Sequence, residues 1–178
     1  ALFDFALKER LIQDGVLTPR DGELLPHGKI IKNRKEILSC SGSSYVSAPT
    51  LEALNRGPWK EKERIGIVGL PCQVLALARM KASKLDKKTP IDRIDLVIGL
   101  FCTWALDYRP FTAFLKKRVN GLPIKKLNIT PPPERIMEVT AGNKLVRIPV
   151  DDIRPFIRPS CRVCLDMTAE LSDLSVGT

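Results

Sequence analysis

Two segments of the chain share one pattern, a short apolar run that ends abruptly and is followed by a helical pattern. The first run, RIGIVGLPC, spans residues 64–72 and precedes a helix predicted over 73–84. The second, RIDLVIGLFC, spans residues 93–102 and precedes, after a loop, a helix predicted over 110–119. Short apolar strands that alternate with helices are typical of parallel strands buried in a sheet. The predicted fold class is therefore α/β, with a mostly parallel sheet flanked by helices.

The segments before these runs predict shorter elements. An amphipathic pattern predicts a helix over 2–13, with Gly15 as the residue that closes it. The other elements predicted here are strands over 16–20 and 29–32, a small-residue loop over 39–45 and a helix over 49–55.

The segments after the two runs indicate an inserted antiparallel β segment. Its strands are predicted over 127–129, 136–140 and 145–148, and Gly142 with Asn143 forms a hairpin turn between the last two. The chain therefore divides into an α/β core over 1–122, an antiparallel insertion over 123–150 and a tail over 151–178.

Four of the five cysteines occupy positions from which their thiols can meet at one centre. Cys72 and Cys102 each close an apolar run, at the carboxyl end of a predicted parallel strand, and this edge of an α/β sheet is where ligands bind. Cys161 and Cys164 form a CxxC pair, a spacing that lets both sulfurs bind one metal centre. Four thiolates at one centre indicate an iron–sulfur cluster or a zinc ion.

Other interpretations of these cysteines stay open. A single cysteine at a strand end often packs as a small hydrophobic side chain, and a lone CxxC pair also occurs as a redox pair or a zinc site. Zinc modules usually carry two local CxxC pairs, whereas here two thiols come singly from far upstream, which favours a cluster assembled on a preformed sheet. Cys40, in the small-residue loop, and His27, interpreted as an exposed loop residue, are predicted to take no part.

The charge of the chain is strongly positive, with 29 Lys and Arg against 20 Asp and Glu and a net charge of +9. A surface this basic attracts anionic partners such as phosphates, carboxylates, nucleic acid or an acidic protein. Aromatic residues make up only 6% of the chain and do not interleave with the basic residues to stack bases, so nucleic-acid binding is the second choice. The basic stretches are Lys81, Lys84, Lys87 and Lys88, then 116–118, then Lys125 and Lys126.

The longest apolar run, residues 96–106, is shorter than the roughly 20 residues that span a bilayer. Residues 1–14 carry charges at helical spacing and do not form a signal peptide. We therefore expect a soluble, cytoplasmic protein without a membrane span. The first residue is not Met and the last residues follow a strand pattern, so we expect a piece of a longer protein.

Four stretches carry a resemblance to a known family: the loop over 42–45, GLPCQ at 69–73, GLFCT at 99–103, and CRVCLDMTAELSD at 161–173. The last is the most specific, because its CxxC pair is followed by Asp166, Thr168, Ala169 and Asp173. In order and spacing the four stretches resemble the beta subunits of coenzyme F420-reducing hydrogenase and the related formate dehydrogenase and F420H2 dehydrogenase subunits. The family loop usually carries Lys or Arg at the position of Ser44.

The resemblance implies an iron–sulfur flavoprotein that transfers electrons between coenzyme F420 and a [4Fe-4S] cluster through FAD. It implies other subunits of a hydrogenase or formate dehydrogenase complex as partners. The residues it implies as cluster ligands are Cys72, Cys102, Cys161 and Cys164. Those it implies around the flavin are Ser41, Gly42, Ser43 and Tyr45, with Gln73 and Thr103 near the gap between flavin and cluster.

On this basis the core over 1–122 binds flavin and cluster, and the tail over 151–178 contributes cluster ligands. The phosphate and glutamate tail of F420 gives the positive charge of the protein a use. The alternative from another class is a non-enzymatic domain with a four-cysteine zinc site that binds nucleic acid or an acidic partner.

Overall fold

The computed structural model describes residues 1–20, 25–83 and 89–177. The strands within them are β1 (Asp14–Leu17), β2 (Lys29–Ile31), β3 (Ile65–Gly69), β4 (Ile94–Leu100), β5 (Ile124–Ile129), β6 (Ile136–Ala141), β7 (Lys144–Pro149) and β8 (Leu174–Val176). The helices are α1 (Leu2–Lys8), α2 (Arg34–Ser39), α3 (Ala53–Arg56), α4 (Pro71–Ala82), α5 (Tyr108–Arg118) and α6 (Val150–Ile153). Turns of 3₁₀ helix cover Thr50–Glu52, Pro90–Arg93, Arg154–Phe156 and Pro159–Val163.

The main sheet has the strand order β2-β1-β3-β4-β8. Strands β1, β3, β4 and β8 run parallel to their neighbours in this group, and only β2 pairs antiparallel, with β1. The two apolar runs form the neighbouring strands β3 and β4, whose last paired residues are Gly69 and Gly99. Because these two strands end level with each other, the segments that follow them lie side by side.

Helices cover both faces of the main sheet. On one face Ile65 and Ile67 of β3 pack with Val74 and Leu77 of α4, and on the other Leu17 and Ile98 pack with Phe3 of α1, among other residues. Burying one such aliphatic or aromatic side chain contributes about 1.5–3 kcal/mol relative to leaving it exposed. The α/β class with a mostly parallel sheet flanked by helices is confirmed.

A second, antiparallel sheet has the order β5-β6-β7. Its inward residues, such as Met137 and Ile148, share a hydrophobic core with Phe111 and Leu115 of α5. Gly142 lies in the turn between β6 and β7 with a φ of 57°, a conformation that glycine adopts without steric cost. The predicted antiparallel insertion is therefore confirmed as a separate sheet, while the division of the chain into 1–122, 123–150 and 151–178 stays a prediction.

The N-terminal elements differ from those predicted. The first helix ends at Lys8 rather than near residue 13, and Gly15 lies inside β1 instead of closing the helix. A Cβ on Gly15 would stand 2.1 Å from Cζ of Phe3, so this glycine makes room for a core ring. Helix α2 was not predicted. It begins after Asn33, whose side chain accepts a hydrogen bond from the backbone N of Glu36 at 3.1 Å.

Several further residues need a correction or fall outside the description. Cys72 lies in the first turn of α4, after Pro71 at the first helical position, and not at the end of a strand. His27 is half-buried rather than exposed. Lys84, Lys87 and Lys88 of the first basic stretch lie outside the described residues, as does the predicted end of the helix over 73–84. No helix in the described parts of the chain is long and apolar enough to cross a membrane.

Candidate functional site

A cavity of about 640 Å³ opens at the carboxyl ends of β1, β3 and β4. Its walls come from the segments that leave these strands and from one loop that crosses in front of them; the lining includes residues 17–20, 42–46, 68–70, 73 and 100–105. This volume lies in the range of sites for small organic ligands and cofactors, and the position is the edge of an α/β sheet at which ligands bind. We call it the main cavity.

The loop over 42–45 forms one wall of the main cavity through Gly42, Ser43 and Tyr45. The Tyr45 hydroxyl accepts a hydrogen bond from the backbone N of Ile129 at 2.8 Å, which fixes the loop to β5. Ser41 instead donates its hydroxyl to the carbonyl of Leu38 at 2.7 Å, back towards α2. Three of the four predicted loop residues therefore line the main cavity, and Ser41 braces the loop from behind.

Gln73 lines the main cavity with an amide that is already engaged by the protein. Its Oε1 accepts from the backbone N of Leu70 at 2.9 Å. Its Nε2 donates to the carbonyl of Ala48 at 2.8 Å and to Oγ1 of Thr50 at 3.1 Å. Thr50 is in turn hydrogen-bonded to Thr18, with 2.6 Å between the two hydroxyl oxygens. Because both amide protons are used, Gln73 holds three wall segments together.

Cys102 and Thr103 follow β4 and also line the main cavity. Cys102 is half-buried and Thr103 is exposed. The backbone N of Cys102 donates to the carbonyl of Met167 at 3.0 Å, which ties this loop to the segment after the CxxC pair.

The tail is docked against β4 by several contacts. The Asp173 carboxylate accepts from the backbone N of Val97 at 2.7 Å, and Asp166 accepts from the backbone N of Ala169 at 2.7 Å. Ala169 is fully buried and lies against Gly99, on which a Cβ would stand 2.3 Å from that of Ala169. These contacts place the tail, and with it Cys161 and Cys164, beside the loops that carry the other two thiols.

The four predicted ligand thiols interact electrostatically with one another. Burial raises the pKa of Cys102 to about 11, and the charges of Cys161, Cys72 and Cys164 contribute to the increase. Burial also raises the pKa of Cys72, and the charge of Cys161 raises it further. Cys72 is exposed as a residue, but its thiol is partly shielded from water. Three other thiols thus act on the pKa of Cys102, and the two thiols of the CxxC pair act on that of Cys72.

The chemistry of these donors bears on which metal group they suit. Among the residues that the structure describes, no group of three or more His, Cys, Asp and Glu side chains stands close enough to hold a metal ion. A zinc ion needs four ligand atoms within about 2.0–2.3 Å of one point, whereas a four-iron cluster is bound by four thiolates spread around a larger body. Four thiols are the donor set that a [4Fe-4S] cluster requires, and also the donor set of a four-cysteine zinc site.

Arg20 is a cavity residue that the sequence did not single out. It follows β1, lines the main cavity and donates from Nη2 to the carbonyl of Leu127 at 2.8 Å. Its place just after a parallel strand is the signal that could have identified it, by the same reasoning that identified Cys72 and Cys102. Cys40 also lies on the wall of the main cavity.

Comparison with known protein families gives two adjacent matches, both to the beta subunits described as coenzyme F420 hydrogenase/dehydrogenase. Residues 62–178 match the family that represents the C terminus of these beta subunits. Residues 1–55 match the family that represents their N-terminal part.

Three curated relatives illustrate the range of similar proteins. The chain is 25% identical over 183 residues to the coenzyme F420 hydrogenase beta subunit of Methanosarcina barkeri, and the match covers 100% of this chain and 62% of that protein. It is 27% identical to the coenzyme F420-dependent sulfite reductase of Methanocaldococcus jannaschii, with 92% and 27% covered. It is 27% identical to a subunit of the F(420)H(2) dehydrogenase of Methanosarcina mazei, with 86% and 42% covered. The chain therefore spans less than two thirds of the length of these relatives.

A solved structure shares the fold. A chain of the F420-reducing [NiFe] hydrogenase complex from Methanosarcina barkeri superposes with a TM-score of 0.81 at 22% sequence identity. The match covers 99% of this chain and 62% of that chain.

Proposed function

The chain belongs to the family of coenzyme F420 hydrogenase/dehydrogenase beta subunits, as its motifs predict, and on that premise we propose that it is the electron-transfer part of an F420-dependent oxidoreductase subunit. In this proposal electrons pass between F420 and a [4Fe-4S] cluster through FAD. The partners are the other subunits of a hydrogenase or formate dehydrogenase type complex. The relatives support the link to F420, since their names include a hydrogenase, a sulfite reductase and a dehydrogenase that carry this coenzyme in their description.

One observation carries the proposal: Cys102 belongs both to the wall of the main cavity and to the group of interacting thiols. A ligand in the main cavity would therefore lie directly beside the proposed cluster ligands. Such contiguity is what electron transfer between a flavin and a cluster requires, because the two redox groups must be close. A metal site with a purely structural role does not need an adjoining cavity of this size.

The proposed cluster ligands are Cys72, Cys102, Cys161 and Cys164. The main cavity would hold the flavin, with Gly42, Ser43 and Tyr45 on one wall and Thr103 on another. When bound, the flavin exchanges a hydride with F420 and the cluster moves single electrons.

The chain's own residues shape and position this site. Gln73 keeps the entrance of α4, the segment at Ala48 and the wall at Thr50 at fixed distances from one another. Tyr45 holds the loop over 42–45 against β5. Apolar residues such as Leu100, Phe101 and Trp104 contribute to the wall beside Cys102, where they exclude water from a bound ring. Ser41 supports the loop from outside the main cavity.

The experiment that tests the proposal mixes the full chain, purified anaerobically with its cofactors, with reduced F420. The expected result is bleaching of the flavin absorbance as reduced F420 is oxidised. The variant Cys102→Ser should keep the hydride exchange with flavin but lose onward delivery of electrons to the cluster. Cys40→Ser is its matched control and should keep both. A protein that binds no flavin, or whose flavin is not reduced by F420, would overturn the proposal.

A further inference from the structure

A second, smaller cavity of about 60 Å³ opens beside the main cavity. The two share Pro19, Arg20 and the residues 43–46, so they adjoin each other along these residues. The far wall of the smaller cavity is the first half of β5, residues 124–127. We call this smaller cavity the side pocket. It has room for a small group and too little for a ring system.

Arg20 stands between the two cavities and is held in place from three sides. Its backbone N donates to the carbonyl of Ser39 at 2.9 Å, and its Nη2 donates to the carbonyl of Leu127 at 2.8 Å. Its side chain also covers the backbone of Gly42, where a Cβ would stand 2.2 Å from Nη1. Gly42 has a φ of 111°, so both its conformation and this contact call for glycine. The hydrogen bond to Leu127 and the contact with Gly42 thus position the guanidinium at the boundary between the two cavities.

The charge of Arg20 has no carboxylate to neutralise it among the residues that the structure describes. A guanidinium has five N–H donors, and the Leu127 carbonyl accepts a hydrogen bond only from Nη2. Lys125 and Lys126 add two exposed ammonium groups to the far wall, and within the described residues they form no ion pair either. Among the described residues that line the side pocket, these three are the cations and none is acidic.

We propose that the side pocket binds the phosphate of a flavin-type ligand whose ring system lies in the main cavity, with Arg20, Lys125 and Lys126 as its contacts. This inference rests on the proposed function and adds to it the part of the ligand that β5 recognises. An arginine fork matches phosphate oxygens in two-point contacts, and lysines contribute as point charges. The phosphate belongs either to the tail of F420 or to the pyrophosphate of FAD. The two sources differ in which ligand loses affinity when the cations are removed.

The test compares Lys125→Gln/Lys126→Gln with Lys116→Gln/Lys117→Gln. The second pair removes the same charge from exposed positions on α5, away from both cavities. Equilibrium affinities are measured for F420, for its deazaflavin riboside core without phosphate, for FAD and for riboflavin. Inorganic pyrophosphate serves as a fifth ligand that needs no ring site.

The first variant should weaken one phosphate-bearing ligand by about five- to tenfold, as expected for two partly exposed charge contacts, and leave its phosphate-free counterpart unchanged. A loss for F420 assigns the pocket to the F420 tail, and a loss for FAD assigns it to the flavin pyrophosphate. The control variant should match the wild type at equal ionic strength.

Equal affinities of the two double variants for all phosphate ligands would overturn the side pocket as an anion site, whatever the redox activity. A protein that binds pyrophosphate through Lys125 and Lys126 but no flavin or deazaflavin would keep the anion site and refute the proposed function. The two failures are therefore distinguishable.

Discussion

The backbone N of Cys102 donates a hydrogen bond to the carbonyl of Met167 at 3.0 Å. This bond joins the loop after β4 to the segment after the CxxC pair, across more than sixty residues of sequence. Together with the contacts of Asp173 and Ala169, it holds the tail that carries Cys161 and Cys164 against β4 and the loop of Cys102. The position of the tail on β4 is therefore the feature on which the candidate site depends most.

We expect Gly99→Ala to displace the tail. The new Cβ would stand 2.3 Å from the Cβ of Ala169 and 2.7 Å from Oγ of Ser172, in a place that the tail fills. Overpacking of this kind lowers the free energy of unfolding by about 1–3 kcal/mol, and here it should also lower the iron content.

Gly69→Ala is the matched control, because Gly69 pairs with Gly99 on the neighbouring strand. A Cβ at Gly69 would meet Gln73 at ordinary contact distances of 3.4 and 3.5 Å. Urea unfolding and iron analysis of both variants check the prediction. An equal loss of stability in the two variants would show that tail docking is not the cause.

We expect two threonine-to-valine substitutions to have opposite effects on stability. Thr50 is buried and its hydroxyl is bonded to Gln73 and Thr18, so Thr50→Val should lower the free energy of unfolding by about 1–3 kcal/mol. Thr112 is buried on α5 and its Oγ1 has no hydrogen-bond partner in the described structure. Thr112→Val should therefore raise the free energy of unfolding, by about 1 kcal/mol.

Urea denaturation of both valine variants measures this difference directly. Thr50→Val should also weaken flavin binding, because it frees the Gln73 amide from the wall of the main cavity. A stabilising Thr50→Val, or a destabilising Thr112→Val, would contradict the hydrogen-bond assignments.

We expect Asp14 to make stability fall as pH rises. Burial raises the pKa of Asp14 above its ordinary value of 3.8, the charge of Glu63 raises it further, and Lys32, with Nζ 3.5 Å from the carboxylate, lowers it. A carboxyl whose pKa is raised by folding stabilises the protein fully below pH 3.8, and this contribution is lost as pH rises through the folded-state pKa.

The free energy of unfolding, measured at a series of pH values, should show this component in the wild type and lack it in Asp14→Asn. Glu63→Gln should narrow the pH range over which stability falls, because it removes one cause of the raised pKa of Asp14. An unchanged pH dependence in Asp14→Asn would assign the effect to other groups.

The sequence was sufficient to predict β3 and β4, because uninterrupted apolar runs of this length are buried on both faces of a parallel sheet. It also predicted the β6–β7 hairpin, where local turn chemistry at Gly142 decides the geometry. Local signals could not reveal why Gly15 is a glycine, since the reason is the ring of Phe3, which reaches it only in the folded core.

The candidate site likewise combines residues that local sequence could identify with residues whose role depends on packing in the fold. The CxxC pair and the two cysteines after apolar runs were recognisable from local pattern and from resemblance to a family. Arg20 was not linked to β5, because its hydrogen bond to Leu127 spans more than a hundred residues and depends on how β5 packs beside the loop over 42–45. Ser41 was predicted to line the flavin and Gln73 to lie near the gap between flavin and cluster; the structure adds that their polar side-chain atoms are hydrogen-bonded within the protein.

Substitution of a proposed ligand cysteine should affect the iron content, and substitution of Cys40 should not. Cys72→Ser and Cys161→Ser should each lose the iron and electron delivery to a partner, because each removes one of four thiolates. Cys40→Ser should keep the iron, since this thiol is not among those that act on the pKa of Cys72 or Cys102 and is not a proposed ligand. Loss of iron in Cys40→Ser with retention in Cys72→Ser would show that the ligand set is wrong.

The measurement that tests the central claim most directly is the iron, zinc and flavin content of the full chain purified without oxygen, with Cys102→Ser analysed beside it. The proposal predicts about four irons and one flavin per chain in the wild type and loss of the iron in Cys102→Ser. A colourless protein with one zinc ion and no flavin would contradict it and support the four-cysteine zinc domain instead.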